Sequence, residues 1–170
     1  MSSHLCFVLF ACGVLCCQAQ PPTTAARLEA EYNVAAYARH YGVPIGFVRA
    51  IVEQESGWHP CAMSHKGAVG LMQLMPSTAA RLGVRDRCNV HENVAGGVLY
   101  LAWLMRRFQG DLRLVAAGYI AGEDMVTRRG LAYSNPEVVS YASRIRAHCR
   151  PQLADSRRAN PAPVRSRVIQ

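Results

Sequence analysis

The stretch PIGFVRAIVEQESG, residues 44–57, sets the reading of the whole chain. Pro44 suits the start of a helix, where its fixed φ fits and its missing N–H is not needed. Phe47, Val48, Ile51 and Val52 recur at spacings of one, three and four, which gathers side chains on one helical face. Gly57 then supplies a stop. Glu55 is the odd member. It follows Ile51 by four and Val48 by seven, so it extends the apolar face, whereas Glu53 lies about 200° around from it. A carboxyl at the end of an apolar stripe loses solvation for its charged form, which raises its pKa. A general acid working near neutral pH needs that property. Taken by itself, Glu55 reads more simply as an outward or Arg-paired carboxylate, since structural ion pairs also perturb pKa values.

The helical period continues on both sides. Arg27 to His40 is amphipathic and ends at Tyr41-Gly42. A short helix runs from Ser77 to Leu82-Gly83. Asn93 is placed to cap a long one carrying Val94, Val98, Leu101, Ala102, Met105 and Phe108. Asp111 caps another, through Leu114, Val115 and Tyr119 to Gly122, and Asn135-Pro136 opens a last one with Val138, Tyr141, Ala142 and Ile145 on one side. No strand alternation and no internal repeat is visible, so the expected fold class is all-α. Met75 and Met105 read as core. For Tyr119 and Tyr141 alone, core packing is also the plainer reading.

Apolar residues make up 51% of 170, enough for a sizeable core and too many for a disordered chain. They are unevenly spread. Leu5 to Cys17 (LCFVLFACGVLCC) is almost unbroken, but a membrane span needs about 20 such residues. With the polar, Pro-containing QAQPP that follows, it reads as a secretory signal peptide, residues 1–19, cleaved after Ala19. A lipoprotein site at Leu9-Phe10-Ala11-Cys12 ranks second, because Phe10 fits it poorly. The expected location is therefore the periplasm. The formal charge is +8, and residues 150–170 hold five arginines against one aspartate, half of that excess. This basic tail lacks apolar periodicity and reads as solvated and disordered. No aromatic residue interleaves with its arginines, so a nucleic-acid role is not expected. The folded part spans residues 25–149 and is only mildly basic, which suits a substrate bearing carboxylates.

Of seven cysteines, Cys61, Cys88 and Cys149 remain after removal of the first nineteen residues. An oxidising compartment lets two of them pair. Cys61 and Cys88 flank the same short helix, and the hypothesis is that they do so, leaving Cys149 over. None has CxxC spacing, and His59, His65 and His91 do not form a ligand set, so neither a metal nor another cofactor is expected. Between Trp58 and Pro76, the Gly- and Met-rich WHPCAMSHKGAVGLMQLMP reads as a structured loop. Its glycines let backbone approach a ligand closely, and Ser64 and Gln73 offer uncharged partners for sugar hydroxyls and acetamido groups.

Glu55-Ser56-Gly57 followed by SHKGAVGLMQLMP (64–76) resembles the signature of the soluble lytic transglycosylase family, including the nine-residue step from the Glu. NVAGGVLYL (93–101) resembles its N-hydrophobic-x-x-G-x-x-Y-L segment. AGYIAG (117–122) resembles its A-A-Y-N-A-G block, and EVVSY (137–141) its E-T-x-x-Y. The order agrees over about residues 28–146. The resemblance implies a compact, mainly helical, goose-type-lysozyme-like domain of the lysozyme-like α+β superfamily, with a substrate cleft. It implies that Glu55 is catalytic acid and then base, on the glycan strands of peptidoglycan. Ser64, Gln73 and Tyr119 would line the sugar subsites, Glu137 would help frame the pocket, Met72 would lie in the cleft wall, and Tyr141 would join the substrate-binding set. Small exported members of the family often resemble accessory factors of secretion, pilus or conjugation machines, so such partners and a monomer are expected. Two departures stand out: Ile120 where the family usually has Asn, and Val138 where it has Thr. Both bear on subsite preference. A hydrolytic lysozyme and a non-catalytic wall-binding module are the rival readings.

Overall fold

A computed structural model describes residues 22–129, 135–136 and 138–147. The expected signal peptide, the basic tail, Glu137 and Cys149 lie outside the described residues. Six helices follow in order: α1 (Thr24–Tyr41), α2 (Ile45–Ser56), α3 (Pro76–Arg81), α4 (Val90–Arg107), α5 (Leu112–Ala121) and α6 (Glu123–Arg129). Residues 138–147 form a further helical stretch, α7. Among the described residues there is no strand, only isolated bridges from Val69 to Met63 and Leu74. The all-α expectation holds.

The core lies around α4, which packs against α1 and α5, with α2 closing against α1. Val48, Ile51 and Val52 from α2 and Val94, Val98 and Leu101 from α4 belong to this one core, all without exposed surface. Burying each such side chain contributes roughly 1.5–3 kcal/mol. A few of them outweigh the desolvation of one partly buried carboxyl, so the stripe can carry Glu55 inward with it.

Several boundaries differ from the sequence expectation. Thr23 caps α1, accepting from the Ala26 N–H, so that helix begins before Arg27. Pro44 is the cap residue of α2, not its first turn. The cap of α4 is Asn89, whose Oδ1 accepts from the Glu92 N–H at 3.0 Å; Asn93 lies one turn further in and is fully buried. Val90 belongs to the apolar face and moves the helix start back by a turn. Helix α6 escaped notice because EDMVTRR buries only Val126 and shows no period. Met75 is 41% exposed, since it caps α3 in extended backbone and points away from the core.

Two glycines in the middle of α4 cost it about 1 kcal/mol each against alanine. Gly97 has a steric reason: a Cβ there would lie 2.4 Å from the Met72 sulfur. Helix α4 thereby lets the loop carrying Met72 settle directly onto it. Cys61 and Cys88 are joined as a disulfide, with Cα atoms 4.5 Å apart and a sequence separation of 27. It ties the start of that loop to the segment leading into α4. In the chain-entropy model a link of this span stabilises by about 3.5 kcal/mol. Equilibrium unfolding in denaturant, with and without a thiol reductant, should show a loss of that order. A midpoint unmoved by reduction would show that the link does not contribute.

Candidate active site

Glu55 sits in the last turn of α2, and the chain turns away immediately after it. Gly57 (φ 55°) and Trp58 (φ 70°) are both left-handed. For a bulky residue such as Trp this conformation is rare and costs about 1–3 kcal/mol. Its compensations are visible. Trp58 is buried, its indole N–H donates to Glu53 Oε2 at 2.6 Å, and the Arg27 guanidinium lies 3.8 Å from its ring centroid. Ser56 bridges the turn: its hydroxyl donates to the Val52 carbonyl and accepts from the Trp58 N–H, each at 3.1 Å. Glu53 is thus committed to structure, and Glu55 is the carboxylate bonded by Tyr141.

The Glu55 carboxyl is half-buried, and its Oε1 accepts a hydrogen bond from the Tyr141 hydroxyl at 2.5 Å. Burial raises its pKa from the ordinary 4.5; the Tyr141 hydrogen bond and the charge of Arg144 oppose the rise without cancelling it. The Arg144 guanidinium is directed elsewhere, its Nε to Gln54 Oε1 at 2.8 Å and an NH group to the Ser140 hydroxyl at 2.6 Å. Among the described residues no second carboxylate acts on Glu55. Burial and the neighbouring Glu55 charge raise the Tyr141 pKa well above its usual value, and Tyr119 is raised in the same way. Both remain neutral hydroxyl donors.

Tyr119, from α5, donates to the Met72 carbonyl at 2.7 Å and so joins α5 to the loop. The loop is built by polar side chains. Asn93 accepts from the Met72 N–H at 2.8 Å and donates to the carbonyls of Val69 (3.0 Å) and Arg87 (2.8 Å). Arg87 donates to the carbonyls of Gly67 and Leu74 at 2.7 and 3.1 Å. Gly70 (φ 90°) is required where they meet: a Cβ there would lie 2.1 Å from the Asn93 amide nitrogen. Gln73 is left-handed at φ 47°, and its amide nitrogen donates to the carbonyls of Ala62 (2.9 Å) and Gly70 (3.0 Å). Two carbonyl partners fix that amide's orientation, and its oxygen takes no part in those bonds. The Ser64 hydroxyl oxygen accepts from the Ala68 N–H at 3.0 Å, a bond that does not use its own proton.

The structure therefore brings Glu55, Tyr119, Tyr141 and the Met72 backbone together, and joins Ser64 and Gln73 to them through the loop. Met72 departs from expectation. Its side chain has no exposed surface and packs against Gly97, so it supports the loop from behind and forms no cleft wall. Ile120 is 38% exposed, so it is not core. Sequence reasoning missed Asn93, Arg87 and Arg144 as framework. The only available signal was that Asn93 falls in an otherwise apolar helical face. A separate cleft of about 330 Å³, between Tyr41, residues 82–85 and the first half of α4, holds none of the expected site residues.

The mainly helical fold is similar to that of solved lytic transglycosylases. An inactive mutant of the lytic transglycosylase Slt from Pseudomonas aeruginosa aligns with TM-score 0.64 and 23% identity, over 78% of this chain and 25% of its own. The 70 kDa soluble lytic transglycosylase of Escherichia coli aligns with TM-score 0.62 and 25% identity, over 69% and 23%. Residues 32–138 match the Transglycosylase SLT domain family, and the chain belongs to that family. Among curated relatives, the membrane-bound lytic murein transglycosylase F of Desulfosudis oleivorans is 44% identical over 42% of this chain and 16% of its own length. The membrane-bound lytic murein transglycosylase C of Haemophilus ducreyi is 38% identical over 42% and 22%. The chain thus covers under a quarter of the length of these relatives. No described helix is long and apolar enough to cross a membrane.

Because burial holds the native Glu55 pKa above 4.5, the folded chain favours the protonated carboxyl more than the unfolded chain does. That contribution to stability is fully present below the ordinary value and is lost as pH rises through the native one. Glu55→Gln stays uncharged and still accepts from Tyr141. Its melting temperature should match the wild type near about pH 4 and exceed it near neutrality. A variant no more stable at neutral pH would show that the native carboxyl is not disfavoured in its charged form.

Proposed function

We propose that the protein is a lytic transglycosylase of peptidoglycan, acting in the periplasm, with Glu55 as its one acid–base group. The observation that carries this reading is the environment of Glu55: a half-buried carboxyl of raised pKa, hydrogen-bonded by Tyr141, with no second carboxylate acting on it among the described residues. Most glycosidases use a pair, the second acting as nucleophile or activating water. A single acid fits a route in which the substrate supplies the nucleophile. Protonated Glu55 gives its proton to the glycosidic oxygen between N-acetylmuramic acid and N-acetylglucosamine, and the C1–O bond breaks. The substrate's acetamido group stabilises the cationic centre. Carboxylate Glu55 then takes the proton of the sugar 6-hydroxyl as that oxygen bonds to C1, closing a 1,6-anhydro ring. Glu55 ends protonated, and no water is consumed.

Ser64, whose bond to the Ala68 N–H leaves its own proton out, and Gln73, whose oxygen takes no part in its two bonds to carbonyls among the described residues, supply the donor and acceptor for sugar hydroxyl and acetamido groups. Tyr119, Tyr141 and Glu137 complete the binding set in this reading. The idea that the activity opens the wall for a secretion, pilus or conjugation machine is supported by the family resemblance alone.

Loss of general acid–base catalysis costs at least about 10²–10⁴-fold. Glu55→Gln should therefore bind glycan and be inactive in a zymogram. Digestion by the wild type in ¹⁸O-water should yield unlabelled 1,6-anhydro ends. Labelled reducing ends would make the protein a lysozyme, and undiminished lysis by the variant would remove Glu55 from the mechanism. Tyr141→Phe makes a separate prediction. The hydroxyl lowers the Glu55 pKa, so removing it should raise that pKa further and move the alkaline limb of the pH–rate profile upward. The rate should fall as well, because a hydrogen bond to a charged group contributes about 1.5–3 kcal/mol. An alkaline limb that stays put or moves down would contradict this.

A further inference from the structure

Trp103 lies on α4 outside every segment that carries the family resemblance. It is 38% exposed, whereas the other tryptophan, Trp58, is buried. A single exposed apolar residue is ordinary. Trp103 is set apart by what it continues. Its ring stacks on Tyr100 with centroids 6.1 Å apart and an interplanar angle of 14°, and Tyr100 in turn meets Tyr119 at 5.6 Å. Tyr119 is the residue whose hydroxyl holds the Met72 carbonyl in the candidate site. Three aromatic rings therefore run in contact from Tyr119, which feels the Glu55 charge, to the surface.

The middle ring is fixed firmly. Tyr100 is buried, its hydroxyl donates to Glu123 Oε2 at 2.7 Å, and the Arg81 guanidinium lies 5.4 Å from its centroid while pairing with Glu123 at 3.2 Å. Trp103 thus rests on a rigid support and presents a flat apolar face beside a polar rim. Such a face suits the C–H surface of a pyranose ring, and Trp gives large contact area at little conformational cost.

We propose that Trp103 forms a distal sugar subsite, stacking on an N-acetylhexosamine of a glycan strand several residues from the bond acted on at Glu55. The proposal rests on the glycan-cleaving reading for its occupant, yet it can be tested apart from catalysis. In a Glu55→Gln background, tryptophan emission is followed while oligomers of N-acetylglucosamine are added. A hexamer should shift the emission, a dimer should not, and Trp103→Phe should abolish the shift, since Trp58 is buried. In the active protein, Trp103→Ala should shrink the advantage in kcat/KM of long strands over short oligomers by about 3- to 10-fold, and Trp103→Tyr should restore most of it. An emission shift that survives Trp103→Phe, or an equal fall on long and short substrates, overturns the proposal. If the wild type cleaves no glycan while the hexamer still reports through Trp103, the subsite stands and the catalytic reading falls.

Discussion

The buried amide of Asn93 is the junction on which the site depends. The loop between α2 and α3 contains no strand, so its inward-facing backbone groups need partners from elsewhere. One Asn side chain satisfies three of them, the Met72 N–H and the Val69 and Arg87 carbonyls. Leaving any one unmet would cost about 1–3 kcal/mol. The amide reaches them only because Gly70 and Gly97 have no Cβ to block the approach. With the loop pressed onto α4, the Met72 carbonyl meets Tyr119, and Gln73 is turned into the left-handed conformation that its own amide then secures. The disulfide and Arg87 hold the same loop from its outer side. The result is a firmly held loop, built from backbone and short side chains and joined to Tyr119, which feels the Glu55 charge.

Arg144 shows how finely the charge of Glu55 is set. An arginine in contact with a carboxylate lowers its pKa by about 1–3 units. Such a contact would favour the ionised form of Glu55 and oppose its use as an acid. Among the described residues no ion pair joins them; the guanidinium is held by Gln54 and Ser140 instead. Its charge still acts on Glu55 and limits the rise that burial causes. Gln54 and Ser140 are thus as much a part of the electrostatics as the arginine.

The helices were legible because each carries its own period. Helix α5 falls where its apolar spacing and its Asp111 cap put it, and α2 differs only in beginning one residue after Pro44, since burial there follows a single face. Helix α6 was not legible, because seven residues burying one valine have no period to read. The half-buried position of Glu55 was legible for a similar reason, as it shares a face with Val48 and Ile51, both fully buried. The framework was not. Asn93 reads as a helix cap by type, and only tertiary contact shows that Asn89 caps while Asn93 cross-links. Met72 failed in the opposite direction. Its place in a family block suggested contact with sugar, but its side chain fills the gap over Gly97, and only its backbone faces the site.

A lone acid that must first give and then recover a proton cannot be tuned to one extreme. Deep burial with no donor would keep the carboxyl protonated but penalise the anion left after transfer. Full solvation would favour the anion and leave little acid at neutral pH. Tyr141 resolves this conflict geometrically. Its hydroxyl donates to Oε1 in either state, but a hydrogen bond to a charged acceptor is about twice as strong as one to a neutral acceptor. The bond therefore contributes most once the proton has left, on the same oxygen pair that must later take one back. Tyr119 is close enough to feel the Glu55 charge, yet its proton is committed to the Met72 carbonyl. One tyrosine stabilises the anion while the other holds the loop edge, and burial raises the pKa of both so that neither ionises beside the acid. The two tyrosines, which the family resemblance puts in the substrate-binding set, would thus let one carboxyl serve both steps of the proposed reaction.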